Sequence, residues 1–340
     1  MKILVTGGAG YIGSHTCFEL IKAGYEVVVV DNLCNSSLES LKRVEKLSNG
    51  IISFYKLDVR DKTALTILFG THSIDGVIHL AGLKALGESI EKPIEYYDNN
   101  LVGTLVLADV MREFGCKTLV FSSSATVYGD PHTLPIKENF PLSVTNPYGR
   151  SKLVIEEVLR DVYVADDSWC IALLRYFNPV GAHKSGLIGE DPNNIPNNLM
   201  PYISQVAVGK LETLSVFGGN YDTPDGTGVR DYIHVVDLAK GHVKSLQALG
   251  IKSQVLTVNL GTGKGYSVLD VVKAFERASG KVVPYLIVER RLGDVAACYA
   301  DPAYASVKLG WSAEYGLEEM CEDTWRWQSK NPDGYLGCEQ

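Results

Sequence analysis

The stretch Lys2–Gly13, KILVTGGAGYIG, decides the fold of this chain. Its apolar, β-branched first part, Lys2–Thr6, predicts a short buried strand. Glycines at positions 7, 10 and 13 let the backbone turn tightly, and Ser14–Lys22 is predicted to continue as a helix. A strand, a glycine turn and a helix together present free backbone N–H groups and a positive helix end to a pyrophosphate. The stretch therefore predicts a dinucleotide-binding unit.

The spacing of these glycines, G-x-x-G-x-x-G, differs from the commoner G-x-G-x-x-G fingerprint, and in a chain with 33 glycines it also fits a plain tight turn. A second buried strand, predicted at Glu26–Val30, ends in Asp31, 18 residues beyond Gly13. A carboxylate in that place binds both ribose hydroxyls and repels a 2′-phosphate, which favours NAD over NADP. Asp31 is also a good turn residue. Together with the glycines, however, it predicts an NAD site.

Composition is that of an ordinary globular protein and argues against several classes of partner. With 340 residues, 46% hydrophobic and 21% charged, the chain is long enough for two domains or one large one. A formal net charge of −8 argues against nucleic acid and anionic membranes as main partners. We recognise no leader peptide, and no apolar window approaches the roughly 18 to 20 residues of a membrane helix.

The cysteines indicate the compartment. Seven are scattered along the chain without a C-x-x-C pair. An odd, dispersed set is typical of reduced thiols rather than of a disulfide framework or a zinc site. We therefore expect a cytoplasmic protein that binds no metal.

Strands and helices are predicted to alternate through the first half of the chain. Further strands are predicted at Phe54–Asp61, Asp75–Gly82 and Thr118–Phe121, with a long helix at Pro93–Phe114. This alternation indicates a parallel, doubly wound sheet with helices on both faces.

The composition changes beyond Pro179, because residues 181–200 are rich in glycine, proline and asparagine. We therefore predict an α/β fold with a Rossmann-type doubly wound parallel sheet and a smaller C-terminal α/β substrate lobe. The NAD-binding domain is assigned to residues 1–178, joined by returning segments near 232–262, and the substrate lobe mainly to residues 179–340.

Tyr148 and Lys152 lie four residues apart in a predicted helix that opens at Pro147, so both side chains share one face. A lysine ammonium beside a phenol, and a nicotinamide cation nearby, favour the phenolate and lower the tyrosine pKa. Such a tyrosine serves as a general base near neutral pH. The spacing alone is common, and a second pair at Tyr304 and Lys308 is interpreted as a surface helix without function.

Position distinguishes the first pair from the second. Ser124 lies 24 residues before Tyr148 and closes a strand of the predicted sheet. Its hydroxyl is placed to bind the same substrate oxygen as the tyrosine, although three serines in a row also fit a polar strand end. We predict that Tyr148, Lys152 and Ser124 are catalytic.

Two further features have both a structural and a functional interpretation. Asp58 closes a predicted strand, where its carboxylate either accepts a hydrogen bond from an adenine amino group or caps the next helix. Arg230, Arg290 and Arg291 lie in the second lobe, where they are either solvated or clamp a diphosphate.

Motifs along the chain resemble the extended short-chain dehydrogenase/reductases, namely Thr6–Gly13, Ser124, Tyr148-x-x-x-Lys152 and Arg230–Val235. More narrowly, six segments look like those of the nucleotide-sugar 4-epimerases of that superfamily. They are Asp31–Ser36, His79–Lys84, Glu95–Asn100, Ser122–Gly129, Leu174–Ala182 and Ile195–Tyr202.

The resemblance implies an isomerase that interconverts UDP-galactose and UDP-glucose at C4, with a tightly held NAD regenerated in each cycle. Tyr148 would take the proton of the sugar 4-hydroxyl while hydride leaves C4 for the nicotinamide. Lys152 would hold the nicotinamide ribose and lower the tyrosine pKa, and Ser124 would assist. The 4-keto sugar would then turn and receive hydride on its other face. A homodimer is expected, because exposed helices beside such a sheet commonly pair.

The resemblance also implies two sets of contact residues. Those around the cofactor are Gly7, Gly10, Tyr11, Ile12, Gly13, Asp31, Asn32, Asn35, Ser36, Asp58, Val59, Leu80, Ala81, Lys84, Asn99, Ser124, Tyr148, Lys152 and Phe177. Those around the UDP-sugar are Ser124, Tyr148, Asn178, Asn198, Leu199, Ser215, Val216, Phe217, Arg230, Arg291, Asp294 and Cys298.

One position bears on substrate range. In related epimerases the residue four after the aspartate of the basic loop, here Asp294, limits the space for an N-acetyl group, and bacterial-type members often have tyrosine there. This chain has Cys298, followed by Tyr299. The smaller side chain implies that UDP-N-acetylhexosamines are admitted too, unless the local alignment is shifted by one residue.

Three alternatives share the predicted fold. A nucleotide-sugar 4,6-dehydratase has an acid pair just after its active-site serine or threonine, where this chain has Ala125 and Thr126. A non-catalytic NAD-binding sensor would usually have lost the Tyr148–Lys152 pair. No spacing rule excludes a dehydrogenase with dissociable NAD, against which tight retention of the cofactor would argue.

Overall fold

The computed structural model describes residues 1–192, 196–250, 252–291 and 293–335. Its strands are β1 Lys2–Thr6, β2 Glu26–Asp31, β3 Ile52–Lys56, β4 Gly76–His79, β5 Thr118–Ser122, β6 Cys170–Tyr176, β7 Asn178–Val180, β8 Leu214–Phe217, β9 Val229–His234, β10 Gln254–Leu260, β11 Gly265–Ser267, β12 Tyr285–Val288 and β13 Ala297–Cys298. Its α-helices are α1 Tyr11–Lys22, α2 Leu38–Ser48, α3 Lys62–Thr71, α4 Leu86–Glu91, α5 Pro93–Tyr96, α6 Gly103–Glu113, α7 Pro147–Ala165, α8 Leu199–Ala207, α9 Val235–Leu249, α10 Val268–Ser279, α11 Ala303–Leu309 and α12 Leu317–Lys330.

The large sheet has seven parallel strands in the order β3-β2-β1-β4-β5-β6-β10. This is the doubly wound order, and the direction of winding reverses between β1 and β4. Ligands of such sheets bind outside the carboxyl ends of the strands at that point. The predicted fold class is confirmed, and β10, from within the predicted returning segment, pairs with β6.

Alternate residues of the central strand β1 enter two separate cores. Ile3 and Val5 are fully buried on the face that α1, α2 and α9 cover. Leu4 is fully buried on the opposite face, among residues of α3, α6 and α7. Strands buried on both faces read as continuous apolar runs, which is why β1 and β2 were recognisable in the sequence.

The smaller lobe is built around β9, which pairs with β7, β11 and β13, while β8 pairs with β12. Its core includes Met200, Ile203, Phe275 and Met320 from three helices. Asp231 of β9 is fully buried, and its carboxylate accepts hydrogen bonds from the backbone N–H groups of Thr262, Gly263 and Ala300. That carboxylate fastens β9 to the segments that follow β10 and β13.

Several element boundaries differ from the sequence prediction. Helix α1 begins at Tyr11, because Gly10 in extended conformation is its N-cap. The strand predicted at Phe54–Asp61 lies earlier, at Ile52–Lys56. The helix predicted at Pro93–Phe114 is interrupted by a π-helical turn at Tyr97–Val102. Such turns are frequent at functional sites.

Two findings concern absences within the described part of the chain. In those residues no helix is long and apolar enough to cross a membrane. The same residues contain no group of three or more histidine, cysteine or acidic side chains arranged to hold a metal ion.

The glycine turn brings α1 unusually close to β1. A Cβ atom built on Gly13 would lie 2.1 Å from the carbonyl oxygen of Gly7. Gly7 itself has φ +70°, in the left-handed region that favours glycine, and a Cβ there would lie 2.7 Å from the backbone nitrogen of Ala81. Side chains at these two positions would push the helix and the neighbouring strand end apart.

Gly13→Ala should therefore destabilise the protein by roughly 1–3 kcal/mol or more, because the overlap is with backbone that has no alternative position. A lowered midpoint of urea unfolding would measure the loss. The matched control is Gly87→Ala in α4, where a Cβ would meet no atom within 4 Å. That variant should lose nothing and gain up to about 1 kcal/mol from helix propensity. Equal midpoints for wild type and Gly13→Ala would contradict the prediction.

Candidate functional site

The N-terminus of α1 opens on the carboxyl edge of the large sheet without a charged or capping side chain. Its N-cap is Gly10, with no side-chain hydrogen bond, and its first turn contains no acidic residue. The first N–H groups of a helix carry partial positive charge and need partners. This end of α1, with Tyr11 and Ile12 in its first turn, is therefore suited to a phosphate group.

Asp31 ends β2 next to this turn. Its carboxylate accepts hydrogen bonds from the backbone N–H of Ala9 at 3.1 Å, the N–H of Leu33 at 2.9 Å and the hydroxyl of Ser36 at 2.8 Å. Asp31 thus does begin a turn, and Leu33 in it has φ +60°. The same bonds hold the predicted cofactor residues of the loop beside the glycine turn.

Asp58 does not cap the next helix, because the N-cap of α3 is Asp61. The Asp58 carboxylate instead accepts from the Asn32 side-chain amide at 3.2 Å and pairs with Arg60 at 2.7 Å. The Arg60 guanidinium holds the pKa of Asp58 well below its usual range. Asp58 therefore presents a charged acceptor beside the Asp31 loop.

The catalytic candidates converge where α7 meets the end of β5. Asn146 caps α7 by accepting the N–H of Gly149, which places Tyr148 in the first turn. The Lys152 ammonium is buried 6.0 Å from the centre of the Tyr148 ring and donates to the Ser122 carbonyl at 2.7 Å. The Ser124 hydroxyl lies close enough to the Tyr148 phenol to lower its pKa. The second pair, Tyr304 and Lys308, lies apart on α11.

Without the nicotinamide cation, the pKa of Tyr148 does not show the lowering that the sequence predicts for the loaded site. Burial raises the pKa of Tyr148 above 10, and the hydrogen bond from Ser124 offsets this only in part. The Lys152 ammonium is directed at a backbone carbonyl rather than at the phenol. Burial also lowers the pKa of Lys152 to about 8. In a low-dielectric site, desolvation outweighs a cation that is not in contact.

Sequence reasoning missed a buried ion pair behind this site. Glu156, one turn after Lys152, receives two hydrogen bonds from Arg175 of β6, at 2.9 and 2.5 Å. Glu156 also accepts from the Ser123 hydroxyl at 2.5 Å. The pair thereby fixes α7 against both β5 and β6. An arginine inside the apolar run of β6 was the signal available in the sequence.

Asn100 was also missed, although its neighbour Asn99 was predicted. Its side chain lies in the π-helical turn and is buried. It accepts from the backbone N–H of Leu83 at 2.8 Å and donates to the Ser151 hydroxyl at 3.1 Å. Asn100 therefore connects the loop after β4 to α7.

Four predicted UDP-sugar residues come together in the smaller lobe. The Arg291 guanidinium lies 3.8 Å from the centre of the Phe217 ring. Arg230 pairs with Asp294 at 3.5 Å. Arg290 makes different contacts, because its guanidinium lies 4.0 Å from the Tyr221 ring centre and donates to the Asn220 side chain at 2.7 Å.

The remaining predicted residues lie along the same two edges. Asn198 is the N-cap residue of α8, and its side chain donates to Glu190 at 3.0 Å instead of capping the helix, while Lys84 pairs with the same Glu190 oxygen at 3.1 Å. Others are Val59 after β3, Leu80 and Ala81 after β4, Asn35 before α2, Asn99 in the π-helical turn, Phe177 between β6 and β7, Asn178 at the start of β7, Leu199 at the start of α8, and Ser215 and Val216 in β8. Ile195 of the quoted Ile195–Tyr202 segment lies outside the described residues.

Cys298 faces the catalytic side of β13. It pairs in register with Arg230 and packs against the cluster that contains Ala125 and Phe177. The next residue, Tyr299, lies toward β11, where its ring would be 3.0 Å from a Cβ built on Gly265. Adjacent strand residues point to opposite faces. Burial raises the pKa of Cys298 to about 11, so its thiol stays protonated at neutral pH.

Comparison with known proteins identifies relatives over the whole chain. Residues 4–324 match the family described as GDP-mannose 4,6 dehydratase. The chain is 62% identical to UDP-glucose 4-epimerase of Bacillus subtilis, covering all of both chains. It is 60% identical to the Dictyostelium discoideum enzyme of that name, covering 98% of this chain and 97% of the relative. The crystal structure of UDP-glucose 4-epimerase from Bifidobacterium longum in complex with NAD+ and UDP is 58% identical, with TM-score 0.96 over 98% of this chain and 100% of that chain.

The buried Lys152 gives a pH-dependent cost in stability. Because its pKa falls from 10.5 to about 8 on folding, the buried charge is unfavourable below about pH 8, and the cost disappears as the pH approaches 10.5. Lys152→Met removes this cost. Between pH 8 and pH 10.5 the unfolding free energy of the wild type should therefore rise by about 3 kcal/mol relative to that of the variant. This figure takes about 1.36 kcal/mol for each pKa unit.

Urea unfolding at several pH values measures this difference. The matched control is Lys42→Met, which removes an exposed lysine of α2. If the unfolding free energies of wild type and Lys152→Met change in parallel through this pH range, burial of the Lys152 ammonium does not lower the stability.

Proposed function

Because the chain belongs to the UDP-glucose 4-epimerase family of the extended short-chain dehydrogenase/reductases, we propose that it interconverts UDP-glucose and UDP-galactose at C4 with a tightly held NAD. The observation that carries this proposal is the convergence of Tyr148, Lys152 and Ser124 at the carboxyl edge beside the glycine turn. An identity of 62% along the full length of the Bacillus subtilis relative supports it.

The residues of the large sheet fit NAD. Gly7 and Gly13 have no side chains, so they leave room for the pyrophosphate. The N-terminus of α1 has no capping side chain, so its partial positive charge faces the same place. The carboxylates of Asp31 and Asp58 offer acceptors for ribose and adenine donors. When bound, NAD supplies the hydride acceptor and donor for C4, and the protein contributes position and electrostatics.

Tyr148 acts as the base and Ser124 as its partner. Tyr148 takes the proton of the sugar 4-hydroxyl and later returns it, while Ser124 donates a hydrogen bond to the same oxygen. Since burial raises the pKa of Tyr148, positive charge close to the phenol has to favour the phenolate. Lys152 and the nicotinamide ring are the two sources of that charge. A site that is dry and holds its charges rigidly makes each more effective.

The UDP group is assigned to the smaller lobe. Arg230 and Arg291 are placed to neutralise the diphosphate, because guanidinium groups bind phosphate oxygens in pairs. Phe217 beside Arg291 offers an aromatic surface for the uracil ring. Asn178, Asn198, Leu199, Ser215, Val216 and Asp294 complete the proposed contacts.

Three other activities fit less well. A 4,6-dehydratase, the reaction named in the description of the matched family, needs an acid next to Ser124, and this chain has Ala125 and Thr126 there. A sensor would not need the buried Lys152. A dehydrogenase with dissociable NAD is tested directly by whether added nucleotide is required.

We also propose that the enzyme is a cytoplasmic homodimer. A surface formed by α4 to α6 exposes apolar side chains that a second copy would cover, since solvent-exposed apolar patches mark interaction sites. The exposed residues there are Ile90, Ile94, Val102 and Leu105. The described residues contain no disulfide bond, which is compatible with a reducing compartment.

The first experiment is incubation of the purified protein with UDP-galactose without added nucleotide. Conversion to UDP-glucose is expected, together with NAD that is released only on denaturation. Tyr148→Phe should retain the NAD and lose about 10²–10⁴-fold in kcat, the usual contribution of a general base. No conversion by the wild type despite bound NAD would reject the proposed reaction.

The substrate range is tested at Cys298, which we propose admits UDP-N-acetylhexosamines. Cys298→Tyr should abolish conversion of UDP-N-acetylglucosamine and leave conversion of UDP-galactose within about threefold, because the larger ring fills the space of the acetyl group. The control is Tyr299→Phe, which changes the next residue, whose ring lies toward Gly265. Full activity of Cys298→Tyr on the acetylated sugar would contradict the proposal.

A further inference from the structure

Thr126 holds the Ser124 hydroxyl in one orientation. Ser124 is the N-cap of a 3₁₀ turn, Ala125–Tyr128, and its Oγ accepts the backbone N–H of Thr126 at 3.2 Å. The Thr126 hydroxyl donates to the same oxygen at 2.9 Å. A serine oxygen has two lone pairs and one hydrogen. Since Thr126 occupies both lone pairs, the Ser124 hydrogen has to be donated to a different group.

The Tyr148 phenol lies within reach of that hydrogen, because the Ser124 side chain lowers the pKa of Tyr148 against the effect of burial. A hydrogen bond has this effect when it is donated to the charged form of the acceptor. The chain of hydrogen bonds therefore runs from Thr126 through Ser124 to Tyr148.

Thr126 is itself seated against the helix that carries Tyr148. A Cβ atom built on Gly149 would lie 3.3 Å from Thr126 Oγ1 and 3.1 Å from the Thr126 carbonyl oxygen. That carbonyl also accepts the N–H of Gly129 at 3.3 Å. The glycine at 149 thus lets the turn lie directly on the first turn of α7. Both ends of the hydrogen-bond chain are fixed to the same helix.

We propose that Thr126 is a positioning residue for the reaction, which keeps the one Ser124 hydrogen directed between the Tyr148 phenol oxygen and the sugar 4-oxygen beside it. This inference rests on the proposed function, in which Tyr148 is the base. Without the Thr126 hydroxyl, one lone pair of Ser124 is free and the hydroxyl rotates. The phenolate of Tyr148 then loses part of its stabilisation, although the sugar nucleotide binds as before.

The experiment compares Thr126→Val, which keeps the shape and removes the hydroxyl, with Thr126→Ser, which keeps the hydroxyl. Steady-state kinetics with UDP-galactose are measured on the NAD-containing enzymes across a range of pH. Thr126→Val should lower kcat by about tenfold, the effect of one lost hydrogen bond, with KM within about twofold. Its kcat should also rise at a higher pH than in wild type, because the tyrosine pKa is less depressed. Thr126→Ser should restore both values.

The matched control is Thr324→Val, which removes a buried threonine hydroxyl that donates to Met320 within α12. It should leave kcat and the pH profile unchanged, and thermal unfolding confirms that each variant is folded. The inference is overturned if Thr126→Val keeps wild-type kcat and pH profile, or if Thr126→Ser is equally impaired, which would indicate a role in packing. An inactive wild type would instead reject the proposed function.

Discussion

The contact between Gly13 and the Gly7 carbonyl is the constraint on which the site depends. Because no side chain separates them, α1 starts directly at the end of β1 and presents its N-terminus at the sheet edge. The same turn lies against Ala81 at the end of β4 and provides the Ala9 N–H for Asp31 at the end of β2. Three strand ends are thereby gathered around one glycine turn, at the place where the winding of the sheet reverses.

A second set of constraints holds the catalytic helix at this edge. The three consecutive serines at the end of β5, Ser122, Ser123 and Ser124, make different contacts. The Ser122 carbonyl accepts from Lys152, the Ser123 hydroxyl donates to Glu156, and the Ser124 oxygen accepts from Thr126. A buried ion pair such as Glu156–Arg175 is weak support for stability in itself. Its structural effect is to fix the position of α7, and with it the distance between Tyr148 and the serines.

Burial of the two titratable groups of the site lowers the stability of the protein when they are charged. Burial raises the pKa of Tyr148 and lowers that of Lys152, so each group resists the charged form that the proposed reaction uses. In this respect the large core, which forms on both faces of the sheet, offsets the cost of a few buried polar groups. Groups whose pKa values are displaced by burial and lie together in a cleft are typical of active sites.

The sequence by itself determined the fold class, the glycine turn, the Asp31 position and the Tyr148–Lys152 spacing. These features are local, because strand burial, a helix start and a four-residue spacing depend only on neighbouring residues. Only the tertiary structure decided which side chains meet. Asp58 pairs with Arg60 rather than capping a helix, Arg290 contacts Tyr221 while Arg291 contacts Phe217, and Cys298 packs on the cluster of Ala125 and Phe177. The last three contacts join segments that are distant in the chain, and the pKa of the tyrosine is raised because burial is a property of the folded whole.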